Sequence, residues 1–249
     1  ISRRRNCRMQ EELSLDMQAT ATVRLACGGW SRHIQQACAR LKALRAGSGR
    51  ALDGSEAIRA LVGRLRRTRP STYEHCVRTA RLARATGRAY GFDDVRLKQL
   101  ASTAMMHDIG KLLVPESILL RPRRPTRLEQ FILHLHPTFG ALLATYFGLS
   151  TELRVRTEHH HERWDGKGYP HRLGGHDIPL MARIVQVADT YDAIVAQRAY
   201  NRPRTHEEAI SELRRQTGTQ FDPRVVEAFV DTFPTAQKTA LRADADASV

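Results

Sequence analysis

The chain has 249 residues, 41% of them hydrophobic, and a net charge of +14, so it can bury one sizeable core, or one domain with an appended segment. The charge is uneven: residues 1–70 hold 15 Lys and Arg against 5 Asp and Glu, and so carry +10 of the +14. Four cysteines without CxxC pairing exclude a disulfide scaffold, no apolar run reaches the about 18 residues of a membrane span, and the opening ISRRRNCRMQEE lacks the apolar stretch of a signal peptide.

A cytoplasmic chain with free thiols at Cys7, Cys27, Cys38 and Cys76 is therefore expected. It begins with Ile rather than Met, which leaves room for a preceding sensory domain. The positive excess attracts polyanions without naming one, and it equally describes a solvated arginine-rich face.

In chain order, Ile34, Ala37, Cys38, Leu41 and Leu44 predict a helix over 31–46 that stops at Gly47. Ser55 is the expected cap of a second helix with Ile58, Leu61, Val62 and Leu65 inward, ending in the basic run before Pro70. From Thr72 onward, His75, Thr79, Leu82 and Thr86 share a face of a helix that ends around Gly91. Asp93 caps the next, with Leu97, Leu100, Ala101, Ala104 and Met105 inward, and delivers His107 and Asp108 at its end. Adjacent helical residues diverge by about 100°, so this pair converges only if the helix opens there, which Gly110 permits.

After the basic, proline-broken loop 114–126, helices are predicted up to His136, over 138–148, over 151–161 and over 183–197, the last carrying Asp189. Thr205 with Glu208 forms a capping box, and Asp222-Pro223 opens a final helix through Val230. Strands are not expected, apart from a short hairpin within 166–179. The alanine-rich tail 234–249 is expected to fray.

Histidines and aspartates recur along these helices: His75, His107-Asp108, His136, the run His159-His160-His161, and Asp189. Neutral imidazoles bind borderline divalent metals, and a carboxylate can bridge two of them. Separations of 32, 29, 24 and 28 residues (75 to 107, 107 to 136, 136 to 160, 161 to 189) place each ligand on its own helix, so tertiary packing would assemble the site.

The ordered series His75, HDIGK at 107–111, HPTFG at 136–140, HHERWDGKGYP at 160–170, ADTYDA at 188–193 and GTQFDP at 218–223 resembles the HD-GYP domain of the HD metallophosphohydrolase superfamily. The resemblance covers residues 71–233 and sets 1–70 apart as a basic helical segment of unknown role. It implies an all-α helical bundle with a glycine-rich GYP loop, and a phosphodiesterase that hydrolyses cyclic di-GMP to pGpG and onward to GMP. It also implies two divalent metal ions, iron or manganese, and a diguanylate cyclase (GGDEF) domain as a partner for the GYP loop. A homodimer is compatible with it; nucleic acid is not an expected partner.

Carried residue by residue, the resemblance makes Asp108 the bridge between two metals. His75, His107 and Asp189 complete one shell, and His136, His160 and His161 the other. Activation of a bridging water follows as its mechanism. A one-residue slip would exchange His159 with its neighbours, but the 28-residue step to Asp189 favours the pair chosen.

Lys111 is the candidate to neutralise a phosphate oxygen, and Arg198 to clamp one. Gly168, Tyr169 and Pro170 form the substrate loop, where Tyr169 and Trp164 offer aromatic faces, although Trp164 is equally a packing residue. Glu162 is the candidate to orient a ligating imidazole.

Departures from the pattern are Ser71, where some members hold a third-metal carboxylate, and Arg198-Ala199-Tyr200-Asn201, where Arg-Pro-Tyr-Arg is common. The loop 121–125 is also unusually rich in arginine. A phosphohydrolase for another nucleotide, or a non-catalytic binding module, fits the same residues.

Overall fold

Residues 53–120, 123–196 and 204–233 are described by the structure, a computed structural model. The predicted helix over 31–46, Cys7, Cys27, Cys38, Arg121, Arg198, Asn201 and the tail after Phe233 lie outside them. Among the described residues the chain is helical, with one isolated bridge between Thr217 and Phe221. No helix there is long and apolar enough to cross a membrane.

The first described helix, α1 (Gly54–Thr68), is capped by Asp53 rather than by Ser55 as expected. Asp53 has a glutamate three residues on, so its carboxylate accepts from Glu56 N at 2.8 Å while Glu56 accepts from Asp53 N at 3.0 Å. Ser55 would have Ile58 at that position, which cannot reciprocate, and instead donates to Asp53 Oδ1. Although α1 was set apart from the following domain, its Ala57, Leu61 and Leu65 lie buried in one cluster with Cys76, Met106, Ile109 and Leu113.

Pro70 opens α2 (Pro70–Ala89), which runs along α3 (Asp94–Met106) and α8 (Leu180–Val195). Gly87 allows this closeness to α3, since a Cβ there would stand 2.7 Å from Leu100. A 3-10 turn at Ile109–Leu112 and the short α4 (Glu116–Leu119) lead to α5 (Arg127–His134), which a Thr126–Glu129 capping box starts.

His136 opens α6 (His136–Tyr146) instead of closing the helix before it. Pro137, at the first turn, lacks an N–H and suits a beginning rather than an end. Ser150 caps α7 (Thr151–Glu158). The expected hairpin in 166–179 is absent: that segment is a series of turns with a 3-10 turn at Gly175–Asp177. The capping box at Thr205 and the cap at Asp222 start α9 (His206–Arg215) and α10 (Pro223–Val230).

A second buried cluster joins α2, α3, α8, α9 and α10 through Ala83, Leu100, Ile184, Val187, Ile210 and Phe229. The two clusters meet at the end of α3, where Ala104 belongs to the second and Met106 to the first. The segment after Met106 thus emerges between two rigid apolar masses.

Candidate metal centre

Helix α3 stops at that junction. His107 keeps helical angles, Asp108 departs to φ −96°, ψ 5°, and the 3-10 turn follows. The opening therefore lies at Asp108, and Gly110 serves a different purpose from the one expected. A Cβ on it would fall 1.9 Å from the carbonyl oxygen of His136, so only glycine lets the start of α6 close onto this turn.

The packing brings together the seven residues to which the resemblance gives a metal-binding role. His75 Nε2 lies 2.9 Å from Asp189 Oδ1, and His107 Nε2 lies 4.0 Å from the same oxygen. His75, His107 and Asp189 each offer one ligand atom within 4.8 Å of the others, and so do His136, His160 and His161.

Asp108 stands between the two sets. Its Oδ1 faces His136 Nε2 at 3.2 Å, while its Oδ2 faces His107 and His75 Nε2 at 3.5 and 3.8 Å. Oδ2 also accepts from Lys111 Nζ at 2.6 Å.

Hydrogen bonds fix the tautomers. Nδ1 of His107, His136 and His160 lies 2.7, 2.6 and 2.6 Å from the carbonyls of Ala104, Leu133 and Thr157. A carbonyl only accepts, so each Nδ1 donates and each Nε2 of a neutral ring presents a lone pair. Yet His136 Nε2 and His160 Nε2 stand only 3.2 Å apart, and the buried His107 Nε2 has no hydrogen-bond partner. Converging, unpartnered lone pairs beside a carboxylate repel one another unless a cation lies among them. The residues present therefore fit a divalent metal.

Electrostatics divide the centre. Burial pushes His136 and His160 well below the usual imidazole range and takes His161 down to about 4. Burial also opposes charge on His75, but hydrogen bonds to Asp189 and Asp192 outweigh it and lift that imidazole to about 9. Asp108 and Asp189 stay ionised: burial favours their neutral forms, and the cationic Lys111 beside Asp108 and the His75 bond to Asp189 overcome it. Burial likewise raises the Cys76 thiol well above its ordinary value and keeps it neutral.

Sequence reasoning missed Asp192, three residues past Asp189 on the same face of α8. It takes His75 Nδ1 at 2.7 Å and a two-pronged contact from Arg78 at 2.7 and 3.0 Å, the arrangement by which an outer carboxylate orients a ligating imidazole. The expectation placed that role on Glu162, and the structure corrects it. Glu162 is fully buried, and its carboxylate accepts from the backbone N–H groups of His171 and Leu173 at 2.6 and 3.0 Å. It holds the loop after Pro170.

The loop is also fastened to the GTQF segment, where Trp164 N and Asp165 N donate to the carbonyls of Gln220 and Thr219. Gly168 is required because a Cβ would stand 2.4 Å from Arg163 N and 2.6 Å from the His161 carbonyl. The close approach is thus to the chain's own backbone. Tyr169 stacks with His134 at 4.2 Å and with His161 at 4.9 Å, next to the imidazole set, and Pro170 follows it half-buried. Trp164 packs edge-on to His176 with the Arg183 guanidinium 5.6 Å above its ring, the packing alternative of its two readings. His159 turns away to a separate group with Glu158 and His171.

Three comparisons bear on this geometry. The family described as the HD domain matches residues 57–225. A curated cyclic di-GMP phosphodiesterase of Thermotoga maritima is 37% identical over 164 residues, and a 3'3'-cGAMP-specific phosphodiesterase of Vibrio cholerae is 35% identical over 162. Each alignment covers 64% of this chain, and the chain spans only 44% and 31% of those relatives' lengths. Among solved structures, an HDG"Y"P protein from Bdellovibrio bacteriovorus shares the fold with a TM-score of 0.56 at 15% identity, over 85% of this chain and 76% of that one.

Proposed function

The chain belongs to the HD domain family, and from that premise we propose that it is a metal-dependent phosphodiesterase that opens cyclic di-GMP to pGpG, with GMP as a further product. The observation that carries this reading is the convergence of imidazole lone pairs on either side of one ionised carboxylate.

His75, His107 and Asp189 would hold one divalent cation, and His136, His160 and His161 a second, with Asp108 between them. Iron and manganese both suit this donor set. When bound, the cations lower the pKa of water for attack on phosphorus and neutralise charge developing on the phosphoryl oxygens.

The chain's own groups do the rest. Asp108 keeps its charge and offers one oxygen to each set. Lys111 also stays charged: burial works against its charge, and Asp108 outweighs it. Its side chain is 27% exposed where that of Asp108 is 2% exposed, so it is the member of the pair placed to meet a phosphate oxygen. The loop through Gly168, Tyr169 and Pro170 borders the imidazole set and would receive a guanine, with Arg198 as a further phosphate contact. The same loop would dock a diguanylate cyclase (GGDEF) domain, and two copies of the chain could pair.

The near-equal identity to a cyclic di-GMP enzyme and to a 3'3'-cGAMP-specific one favours a second reading, in which another 3',5'-linked cyclic dinucleotide is the substrate. The test is anaerobic reconstitution with ferrous iron or manganese, with cyclic di-GMP and 3'3'-cGAMP offered singly and in competition and Asp108→Ala as the control. Turnover of cyclic di-GMP to pGpG that vanishes in the variant is expected. Preferred cleavage of 3'3'-cGAMP would move the substrate, and no cleavage of either by metal-loaded protein would end the phosphodiesterase reading.

A further inference from the structure

Glu158, His159 and His171 form a second convergent group that shares no residue with the centre. Each offers one ligand atom, and the three atoms lie within 4.8 Å of one another. His159 is prepared in the same manner as the buried imidazoles: its Nδ1 lies 2.6 Å from the Val155 carbonyl, so it donates there and leaves the Nε2 lone pair free. The residue is only 9% exposed, and the bond to Val155 sets the ring's orientation. His171 is fixed from its backbone, whose N–H donates to Glu162 at 2.6 Å. Its Nε2 lies 3.2 Å from Glu158 Oε1, and its ring centroid lies 5.1 Å from that of His159. The Arg154 guanidinium takes the other carboxylate oxygen, Oε2, at 3.4 Å, leaving Oε1 to the group.

Two imidazoles and one carboxylate are a donor set for a borderline divalent cation of the zinc type, with water in the fourth position of a tetrahedron. The His171 side chain is 51% exposed, so an ion reaches the group without passing the buried centre. The geometry points to a separate zinc-type site, formed by Glu158, His159 and His171, that ties the end of α7 to the loop two residues beyond Tyr169. Glu158 and His159 end one element, and His171 starts the descent of the loop. A bound ion would add a cross-link to a segment held by hydrogen bonds to Glu162 and by the stacking of Tyr169.

Zinc itself is the probe. The full chain, with its buried centre filled beforehand, is dialysed against zinc and its metal content measured beside His171→Ala and Glu158→Gln. The intact chain is expected to hold one zinc per chain more than either variant. Hydrogen exchange across 166–174 should slow on zinc addition in the intact chain only. Cobalt in place of zinc should give the intense visible absorption of a tetrahedral ion, lost in both variants. Equal zinc content in all three proteins would overturn the site, and a loss confined to His171→Ala would overturn the three-ligand set. Metal content is read without turnover, so the outcome is independent of whether the chain cleaves any dinucleotide.

Discussion

In the candidate centre His75, His107 and Asp189 form the half in which imidazoles meet carboxylates, whereas His136, His160 and His161 meet chiefly one another. Both halves are largely buried, yet His75 in the first and the three imidazoles of the second are shifted in opposite directions. Burial outweighs the pull of Asp108 and leaves the second set neutral, with His161 near 4, while Asp189 and Asp192 hold His75 up to about 9. Desolvation wins where Asp108 acts without a hydrogen bond to the ring's free nitrogen and loses where two carboxylates are hydrogen-bonded to one ring. The second set therefore presents lone pairs ready for a cation, whereas His75 in the first must release a proton before it can bind one.

The largest expected effect comes from removing one ligand from each half. His160→Ala should lose the cation of the imidazole half and His75→Ala that of the carboxylate half. Turnover should fall by more than the about 10–100-fold typical of supporting residues. Metal analysis of the two variants decides whether the halves are separable. If either substitution empties both, they form one cooperative site and the comparison breaks.

Next is Asp192→Asn, which keeps the shape but removes the charge facing His75 and Arg78. Affinity for metal should drop about 10–100-fold at the carboxylate half and change little at the imidazole half. Competition with a chelator of known strength measures both. An equal drop at the two halves would show that Asp192 supports the fold at large rather than one ring.

How much of this was legible in the sequence depends on range. The ordered motifs and the resemblance they carry named the seven residues, and period and capping, which are local, placed the helices that bear His75 and Asp189; they put His136 at the end of a helix it opens, and His160 and His161 inside one that stops at Glu158. Asp192 was hidden although it sat in the quoted ADTYDA segment, since its role depends on which face of α2 lies opposite. Glu162 was misread because its partners are backbone N–H groups nine and eleven residues away, and any residue type supplies those. Gly110 was read as a hinge, but its need arises from the carbonyl of His136, a contact that exists only after α6 docks. Even the local error at Ser55 had a local remedy: the glutamate three residues after Asp53 marks the better cap.

The two halves should also pull the stability of metal-free protein in opposite directions with pH. His75 is raised above its ordinary 6.5 to about 9, so its contribution is fully present below about 6.5 and is lost as pH rises through about 9. His161 is depressed to about 4, with His136 and His160 shifted the same way. Between 6.5 and 4 the unfolded chain binds protons these rings refuse, so stability falls as pH drops through that window. Melting temperatures across pH should trace a dome, with the acid limb the steeper because three rings contribute to it and one to the alkaline limb. His75→Gln should flatten only the alkaline limb. If it flattens the acid limb as well, the halves titrate as a unit.

The smallest effect concerns how His161 is held. His107, His136 and His160 are each anchored through Nδ1 to a backbone carbonyl, whereas His161 is braced by rings, with His160 at 4.2 Å and Tyr169 stacked at 4.9 Å. The contact between Tyr169 and His161 is ring to ring, so the ring rather than the oxygen is assigned the bracing. Tyr169→Phe should then leave metal affinity of the imidazole half nearly unchanged. Tyr169→Ala should weaken it by the about 0.5–1.5 kcal/mol that an aromatic pair contributes, with the carboxylate half as the internal control. Titration of the two variants with manganese checks this. A loss in Tyr169→Phe equal to that in Tyr169→Ala would assign the effect to the hydroxyl, and the imidazole half would then depend on a polar contact after all.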